Sequence, residues 1–470
     1  MKRAVLMVLL LAGCASDRGI GHRATPLEPA ALAAEKSLGA QSASGDWPAL
    51  DWWKRFADPQ LDALVDEALA ASPTLRLAQA RLELARAQAQ IAGAPLRPQV
   101  NAEASANRTR FSENYIFPPP IGGATFSTTQ LALDASYQVD FWGRNRAAYD
   151  AALGRGRAAQ AEAFASRLAL SAGVASVYVQ LARAYEQLDF ARRTLEDREA
   201  VQRLTTDRFR AGLDSRLELK QVETSIPAAR ARIAQIEEEI ALARSQLAAL
   251  LGKGPDRGLA IERPQLHMAA VALPSRVPAD LLGRRPDITA ARERVEAASR
   301  DIAAAKAAFY PDVNLTALIG VQSVTLSKLL ERGSGIPSAG AAISLPIFDA
   351  GRLRGNLAAR NADYDAAVEQ YNQSLADALR EVVDQLTSMR SVQAQRAEAD
   401  AALAAAEEAY QLAVARYKAG IGSLLQVLTA ETQVLEQRNL RADLHARELA
   451  VSINLIRALG GGYDVQVAMQ

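Results

Sequence analysis

The chain has 470 residues, 49% of them apolar, 23% charged and 5% aromatic, with one Cys and three His. Its formal charge is 54 − 53 = +1, so no basic surplus marks a nucleic-acid partner. A single Cys and the scattered His22, His267 and His445 leave little material for a His/Cys metal site or a Cys–His nucleophilic pair.

Met1-Lys2-Arg3 is a basic leader, Ala4 to Leu11 a short apolar run, and Leu11-Ala12-Gly13-Cys14 follows. Eight apolar residues are too few to cross a bilayer, so residues 1–13 read as an export signal. Leu-Ala-Gly-Cys resembles a bacterial lipobox, which implies that Cys14 is lipidated and becomes the mature N-terminus. An ordinary signal peptide with a chance Cys is the plainer alternative, but the only Cys of the chain stands at this position. Ala15, where an Asp would oppose it, fits sorting to the outer membrane. Without Lys2 and Arg3 the balance is 52 − 53 = −1. No later stretch approaches 18 uncharged apolar residues, so no transmembrane helix is expected, and any spanning structure has to be a β-barrel.

A helix is predicted from Pro73 to Leu96, followed by two alternating strands. In the first, Val100, Ala102, Ala104 and Ala106 oppose Asn101, Glu103, Ser105 and Asn107. In the second, Leu131, Leu133, Ala135, Tyr137, Val139 and Phe141 oppose Gln130, Asp134, Ser136, Gln138 and Asp140. A period of two with one apolar face suits a half-buried strand, and lengths near 9–11 residues suit a tilted membrane strand. From Gly143 to Gly212 no Pro interrupts a helical pattern, which carries two seams: Leu168, Ala172, Ala175, Val179, Ala182 and Val174, Tyr178, Leu181, Tyr185, Leu188. Two seams and an alanine content of about a fifth fit a helix packed against a neighbour on each side. A shorter helix spans Leu213 to Leu251, and the stretch Gly252 to Gly283 is rich in Pro and Gly.

The same order then repeats. A shift of 208 aligns Arg208-Phe-Arg-Ala-Gly212 with Arg416-Tyr-Lys-Ala-Gly420, and a shift of 213 aligns Pro98 and Val100-Asn101 with Pro311 and Val313-Asn314. Val313, Leu315, Ala317 and Ile319 make a third strand, Ala339, Ala341, Ile343, Leu345 and Ile347 a fourth, and Gly351 to Gly420 a second long helix. The chain is therefore an internal duplication. The expected organisation is a signal peptide at 1–13, a lipidated extension at 14–60, repeats at 61–260 and 286–462, a connector at 261–285 and a tail at 463–470. Aromatic residues gather at the strand ends: Phe141-Trp142, Phe309-Tyr310 and Phe348, with Phe111, Tyr115 and Phe117 beyond. Such clusters look like interfacial girdles, although a soluble antiparallel sheet packed on helices shows the same alternation. Four strands cannot close a barrel, and an open edge in lipid leaves N–H and C=O groups unpaired. If the strands lie in a membrane, several chains must pool them.

Specific motifs carry a resemblance. Trp52-Trp53-Lys-Arg-Phe56-Ala-Asp58-Pro59, Leu282-Gly-Arg284-Arg285-Pro286-Asp287-Ile288, Ala308-Phe-Tyr310-Pro311, Leu345-Pro346-Ile347-Phe348-Asp349-Ala-Gly351 and Arg416-Tyr417-Lys-Ala-Gly420 resemble those of the outer membrane factor family, the TolC-like ducts. With the lipobox, the similarity is nearest to NodT-type lipoproteins of resistance-nodulation-division pumps. The resemblance implies a homotrimer whose twelve-stranded β-barrel, four strands per chain, continues into a long periplasmic α-helical barrel. It also implies a periplasmic adaptor and an inner-membrane transporter as partners, outer-membrane lipid around the barrel, no nucleic acid and no cofactor. Arg208, Gly212, Arg416, Tyr417, Lys418 and Gly420 would form the periplasmic tip where adaptors dock; alternatively the glycines simply end helices and the basic residues complement their carbonyl ends.

Family members narrow the tip with inward carboxylates, whereas Gly422, Gln426 and Thr429 stand here in the second repeat. That leaves Asp214 and Glu218 of the first repeat as gate candidates, beside Gln426 and Thr429. Either carboxylate also suits a helix N-terminus. Arg284 and Arg285 suit belt ion pairs at a helix start, and Gly460-Gly-Gly462, lacking a Lys-Ser/Thr sequel, suits a flexible helix end. Two rivals stand beside the duct: a periplasmic coiled-coil lipoprotein scaffold without a pore, and an envelope hydrolase. None of the three His lies in a nucleophile–base motif, so no catalytic residue is named.

Overall fold

The computed structural model describes residues 17–28, 31–38, 46–267 and 283–465. The leader, Cys14 and most of the connector lie outside them. The alternating segments form β1 Gln99–Arg110, β2 Thr125–Val139, β3 Asp312–Ser323 and β4 Ser338–Ser344. The main helices are α1 Pro59–Ala71, α2 Pro73–Gly93, α3 Arg144–Arg210, α4 Arg216–Leu250, α5 Pro286–Ala307, α6 Arg352–Lys418 and α7 Leu424–Ala458.

The duplication is nearly metric. α3 and α6 both have 67 residues, α4 and α7 both have 35, and β1 and β3 both have 12. A 67-residue helix is about 100 Å long at 1.5 Å per residue. The exception is the second strand of each repeat, 15 residues in β2 against seven in β4. β4 ends at Ser344, short of the expected Leu345 and Ile347, because Pro346 has no N–H for the ladder and restrains the residue before it. β2 stops before Phe141 because the Asp140 carboxylate turns to accept the N–H groups of Asn145 (3.1 Å) and Arg146 (2.8 Å) at the start of α3.

The chain divides into two compact units. One gathers 17–26, 82–159 and 291–371, and the other 27–81, 160–290 and 372–465 as far as described. The first unit holds a four-stranded antiparallel sheet in the order β1-β2-β3-β4. Its ladders run without a bulge, pairing Ala104 with Leu131 and Leu131 with Val321, and Val313 with both Val139 and Ile343. Every expected apolar residue within the strands therefore falls on one face of one sheet. Ala132, on the polar face, is 3% exposed, while its neighbours Leu131 and Leu133 are about half exposed. Both edges, β1 and β4, lack a strand partner among the described residues.

At the helix-joined end of the sheet Trp142 stacks on Tyr310 at 4.6 Å and donates to the Pro311 carbonyl. At the opposite end Phe111 meets Phe117 (5.4 Å) and Phe126 (5.9 Å). The aromatic residues occupy both ends of the strands, as a membrane girdle requires.

The core of the second unit is built on α3. Most of both seams is buried, with Val174, Tyr178 and Leu181 at 0% exposure, packed among Trp52, Phe56, Leu64, Ile236, Leu247 and Ile453, while Leu168, Ala182 and Tyr185 are half-buried. By length and composition alone α3 holds one stretch apolar enough to cross a membrane, where the sequence leads us to expect no transmembrane helix. Half of that stretch is buried within the chain, so its apolarity serves core packing.

Arg285 is buried and gives its guanidinium to Asp287, Glu381 (2.9 Å) and the Ala458 carbonyl (3.0 Å). Arg284 pairs with Asp464 at 3.0 Å. The Arg pair thus makes ion pairs at a helix start. The Gly460–Gly462 stretch corrects its expectation: a Cβ on Gly460 would fall 1.8 Å from the Arg284 carbonyl oxygen, and one on Gly461 would fall 2.1 Å from Leu168. These glycines permit a close packing of backbone, and all three have positive φ.

Candidate functional site: the paired helical turns

α3 and α6 end in the same motif. Leu213 N–H reaches the Arg208 carbonyl and Gly212 N–H the Phe209 carbonyl; Ile421 and Gly420 repeat this toward Arg416 and Tyr417. Gly212 and Gly420 sit at φ +72° and +78°, the left-handed stop that this double bond requires. In such stops the apolar residue after the glycine commonly packs back on the helix. Here Leu213 and Ile421 are 67% and 70% exposed, and Phe209, Leu217 and Leu425 are exposed beside them. Arg416 and Lys418 are exposed as well, without an ion-pair partner among the described residues.

Beneath these surfaces the two turns are joined. Val201, Val222, Tyr417, Leu424 and Val427 form one buried cluster drawn from α3, α4, α6 and α7. Tyr417 is 1% exposed; its hydroxyl donates to Asp214 at 2.5 Å and accepts from Thr205 at 2.9 Å. Arg208 grips Asp214 with two bonds of 3.0 and 3.1 Å, donates to the Tyr417 carbonyl at 3.0 Å, and lies 4.6 Å over the Tyr417 ring. Burial opposes the charge of Asp214, but the Arg208 guanidinium and the Tyr417 hydroxyl together hold its carboxyl below the ordinary value. Burial, reinforced by the bond to Asp214, pushes the Tyr417 phenol up.

The repeats differ at this joint. The 208-residue shift sets Gly422 opposite Asp214 and Tyr417 opposite Phe209. One acid and one phenol, each from a different repeat, therefore make a single joint. Farther along the same helices Arg198 of α3 donates to Glu431 of α7 at 3.0 Å and to the Ser225 carbonyl of α4 at 2.8 Å. Burial raises the Glu431 carboxyl despite that guanidinium.

The remaining gate candidates have local partners. Glu218 accepts from Ser215 N–H at 2.9 Å and from its hydroxyl, a capping box that starts α4. That hydroxyl bond holds its carboxyl below the ordinary range. Gln426 caps α7 through Ser423 in the same way, and Thr429 bonds back to the Leu425 carbonyl. Asp214 alone of the four candidates bridges both turns.

Thr205, Arg198 and Glu431 were missed by sequence reasoning, since the pairing of two helices in space carries no local motif. Asp58 was missed too, although it stands inside a quoted motif. Its carboxylate is 3% exposed and accepts from Gln60 N–H (2.9 Å), Tyr178 hydroxyl (2.8 Å) and Gln265 N–H (2.8 Å). Among the described residues no group of three or more His, Cys, Asp or Glu is placed to hold a metal ion.

A four-stranded sheet with one apolar face, two edges without a strand partner among the described residues, and long duplicated helices define a class of outer-membrane channel. The chain belongs to the outer membrane efflux protein family, whose profile matches residues 64–253 and 277–461. It is 42% identical to the fusaric acid resistance protein FusA of Burkholderia cepacia, over 76% of this chain and 69% of that one. It is 33% identical to the multidrug resistance outer membrane protein MdtP of Escherichia coli K12, over 97% of this chain and 94% of that one. The fold is similar to that of the outer membrane protein VceC of Vibrio cholerae, with a TM-score of 0.84 and 39% identity, covering 89% of this chain and all of the other. The chain is an efflux channel of the outer membrane, spanning that membrane and extending into the periplasm.

Proposed function

We propose that three copies form one exit duct of a tripartite efflux pump, passively conducting substrates delivered by a periplasmic adaptor and an inner-membrane resistance-nodulation-division transporter. The observation that carries this reading is the sheet, apolar on one face and unpaired at both edges. In lipid those edges need partners, and three sheets of four strands give a twelve-stranded closure around the polar faces. The apolar residues exposed at the helical turns, with Arg416 and Lys418 among them, suit adaptor hairpins, and the Arg208–Asp214–Tyr417 joint suits a latch that keeps the duct narrow at rest. Residues 14–60 act as a lipidated extension, 261–285 as the connector between the repeats and 463–470 as the tail.

Lipidation of Cys14 is part of the proposal. Just beyond it the chain is tethered, since Asp365 accepts from the N–H groups of Arg23 (2.8 Å) and Ala24 (2.9 Å).

The mass of the detergent-extracted protein tests the assembly. Light scattering should give about 150 kDa of protein, three times the 50.3 kDa chain, and negative-stain images a stalk of about 100 Å. A monodisperse monomer or dimer would overturn the reading, because four strands per chain would remain unclosed.

A further inference from the structure

The register that gathers the apolar residues of the sheet also fixes where its basic residues point. β1 pairs with β2 without a bulge from Gln99 to Arg110, so Val100, Ala102, Ala104, Ala106, Arg108 and Arg110 share one face. Across the ladder that face carries Leu133 and Ile319, then Leu131 and Val321, then Thr129 and Ser323. Apolar rows thus give way to a hydroxyl row, and the two arginines follow beyond it, paired with Ser127 and Thr125. From Ala104 to Arg108 the strand rises about 14 Å, or about 10 Å along the membrane normal at a tilt near 40°. From the first apolar row, at Val100, the same tilt gives about 21 Å along the normal, close to the ~25 Å apolar band of membrane barrels, so the arginines stand at the border of that band.

This end of the sheet carries the strand-joining loops and lies away from the helices, so it faces the outer leaflet. Across residues 107–128 and 322–337 the charged side chains are Arg108, Arg110, Glu113, Lys328, Glu331 and Arg332, giving 4 − 2 = +2 in a mature chain that is otherwise near neutral. Arg110 makes only long bonds, 3.3 Å to the Gly123 carbonyl and 3.4 Å to exposed Glu113. Arg108 has no ion-pair or hydrogen-bond partner among the described residues. The acids Glu103 and Asp134 stand on the other, polar face of the sheet.

We infer that Arg108 and Arg110 bind the phosphate groups of a phosphorylated glycolipid in the outer leaflet, with its acyl chains lying on the apolar rows below. The inference rests on the membrane-spanning reading of the sheet. A guanidinium suits this task because its planar donors match phosphate oxygens in pairs. The site is two-part, with apolar rows for the chains and basic residues for the headgroup, so free phosphate would find only half of it.

The test uses the full-length protein in a nonionic detergent, titrated with bisphosphorylated lipid A, with dephosphorylated lipid A and with inorganic phosphate, with bound lipid counted by native mass spectrometry. The phosphorylated lipid should bind most tightly. R108Q/R110Q should weaken it about thirtyfold, roughly fivefold for each arginine, while R108K/R110K, which keeps the charge but loses the paired donors, should fall between the two. E103Q, a charge change on the opposite face, should leave it unchanged. Equal binding of the two lipids, undiminished binding by R108Q/R110Q, or binding of inorganic phosphate as tight as that of the lipid would each overturn the proposal. Circular dichroism and light scattering on every variant separate these outcomes from misfolding. A protein that fails to sediment with outer membranes would instead overturn the spanning reading on which the site depends.

Discussion

Tyr417, in the last turn of α6, donates its hydroxyl hydrogen to Asp214, which follows the stop of α3, and the two residues are 203 positions apart in sequence. The bond joins the repeats where each long helix reverses. A buried hydrogen bond to a charged group contributes about 1.5–3 kcal/mol, and its loss leaves the partner unsatisfied. Tyr417→Phe and Asp214→Asn should each loosen the turns while leaving assembly intact. In planar bilayers both variants should show higher single-channel conductance than the parent, and unchanged conductance would rule out the latch.

The same joint sets a pH response. The Asp214 carboxyl is held below its ordinary value of 3.8, so the latch contributes its full stability above that pH. The contribution disappears as pH falls through the lower, folded-state value. Conductance and amide exchange in residues 204–222 and 413–428 should therefore stay flat from pH 7 to about 4 and rise only below it. Asp214→Asn should be loose throughout and lack the acid step.

Asp58 is predicted to be a stability determinant far from the turns. Its carboxylate caps α1 and also holds Tyr178 and Gln265, all out of water. Asp58→Ala removes the cap and strands buried donors, at a cost of about 3–5 kcal/mol. The thermal midpoint should drop by several degrees. Glu262→Ala, an exposed neighbour, should shift it little.

Two glycine substitutions should separate backbone conformation from close packing. Gly212→Ala meets nothing within 4 Å and costs only the left-handed backbone, about 1–2 kcal/mol. Gly460→Ala carries the same backbone cost and also drives a methyl group into the Arg284 carbonyl. The first variant should accumulate in the outer membrane near the normal level, and the second should be largely degraded.

The sequence exposed the features that repeat locally. Alternation marks the strands, two glycines mark the turns, and self-similarity marks the second repeat. The length of β4 was misread because its alternation runs on through Leu345 and Ile347 while Pro346 ends the hydrogen-bonded ladder. The joints between repeats were illegible for a different reason. Arg198 with Glu431 and Tyr417 with Asp214 are pairs more than 200 positions apart, and nothing beside each residue signals the other. Asp214 could be read as a charge near a turn, but not as one already neutralised by Arg208. The glycines at 460–462 looked like slack because the backbone they accommodate comes from residues far away in the sequence.

The unpaired edges of β1 and β4 have a genetic consequence. In the proposed trimer each chain borrows neighbours for both borders, so its alleles interact inside every assembly. A copy that folds its sheet but carries a spoiled turn would be recruited as readily as a sound one. With equal amounts of both, only about one assembly in eight would contain three sound chains. Such an allele would behave as dominant when expressed beside the normal copy, whereas an allele that never builds the sheet would be recessive.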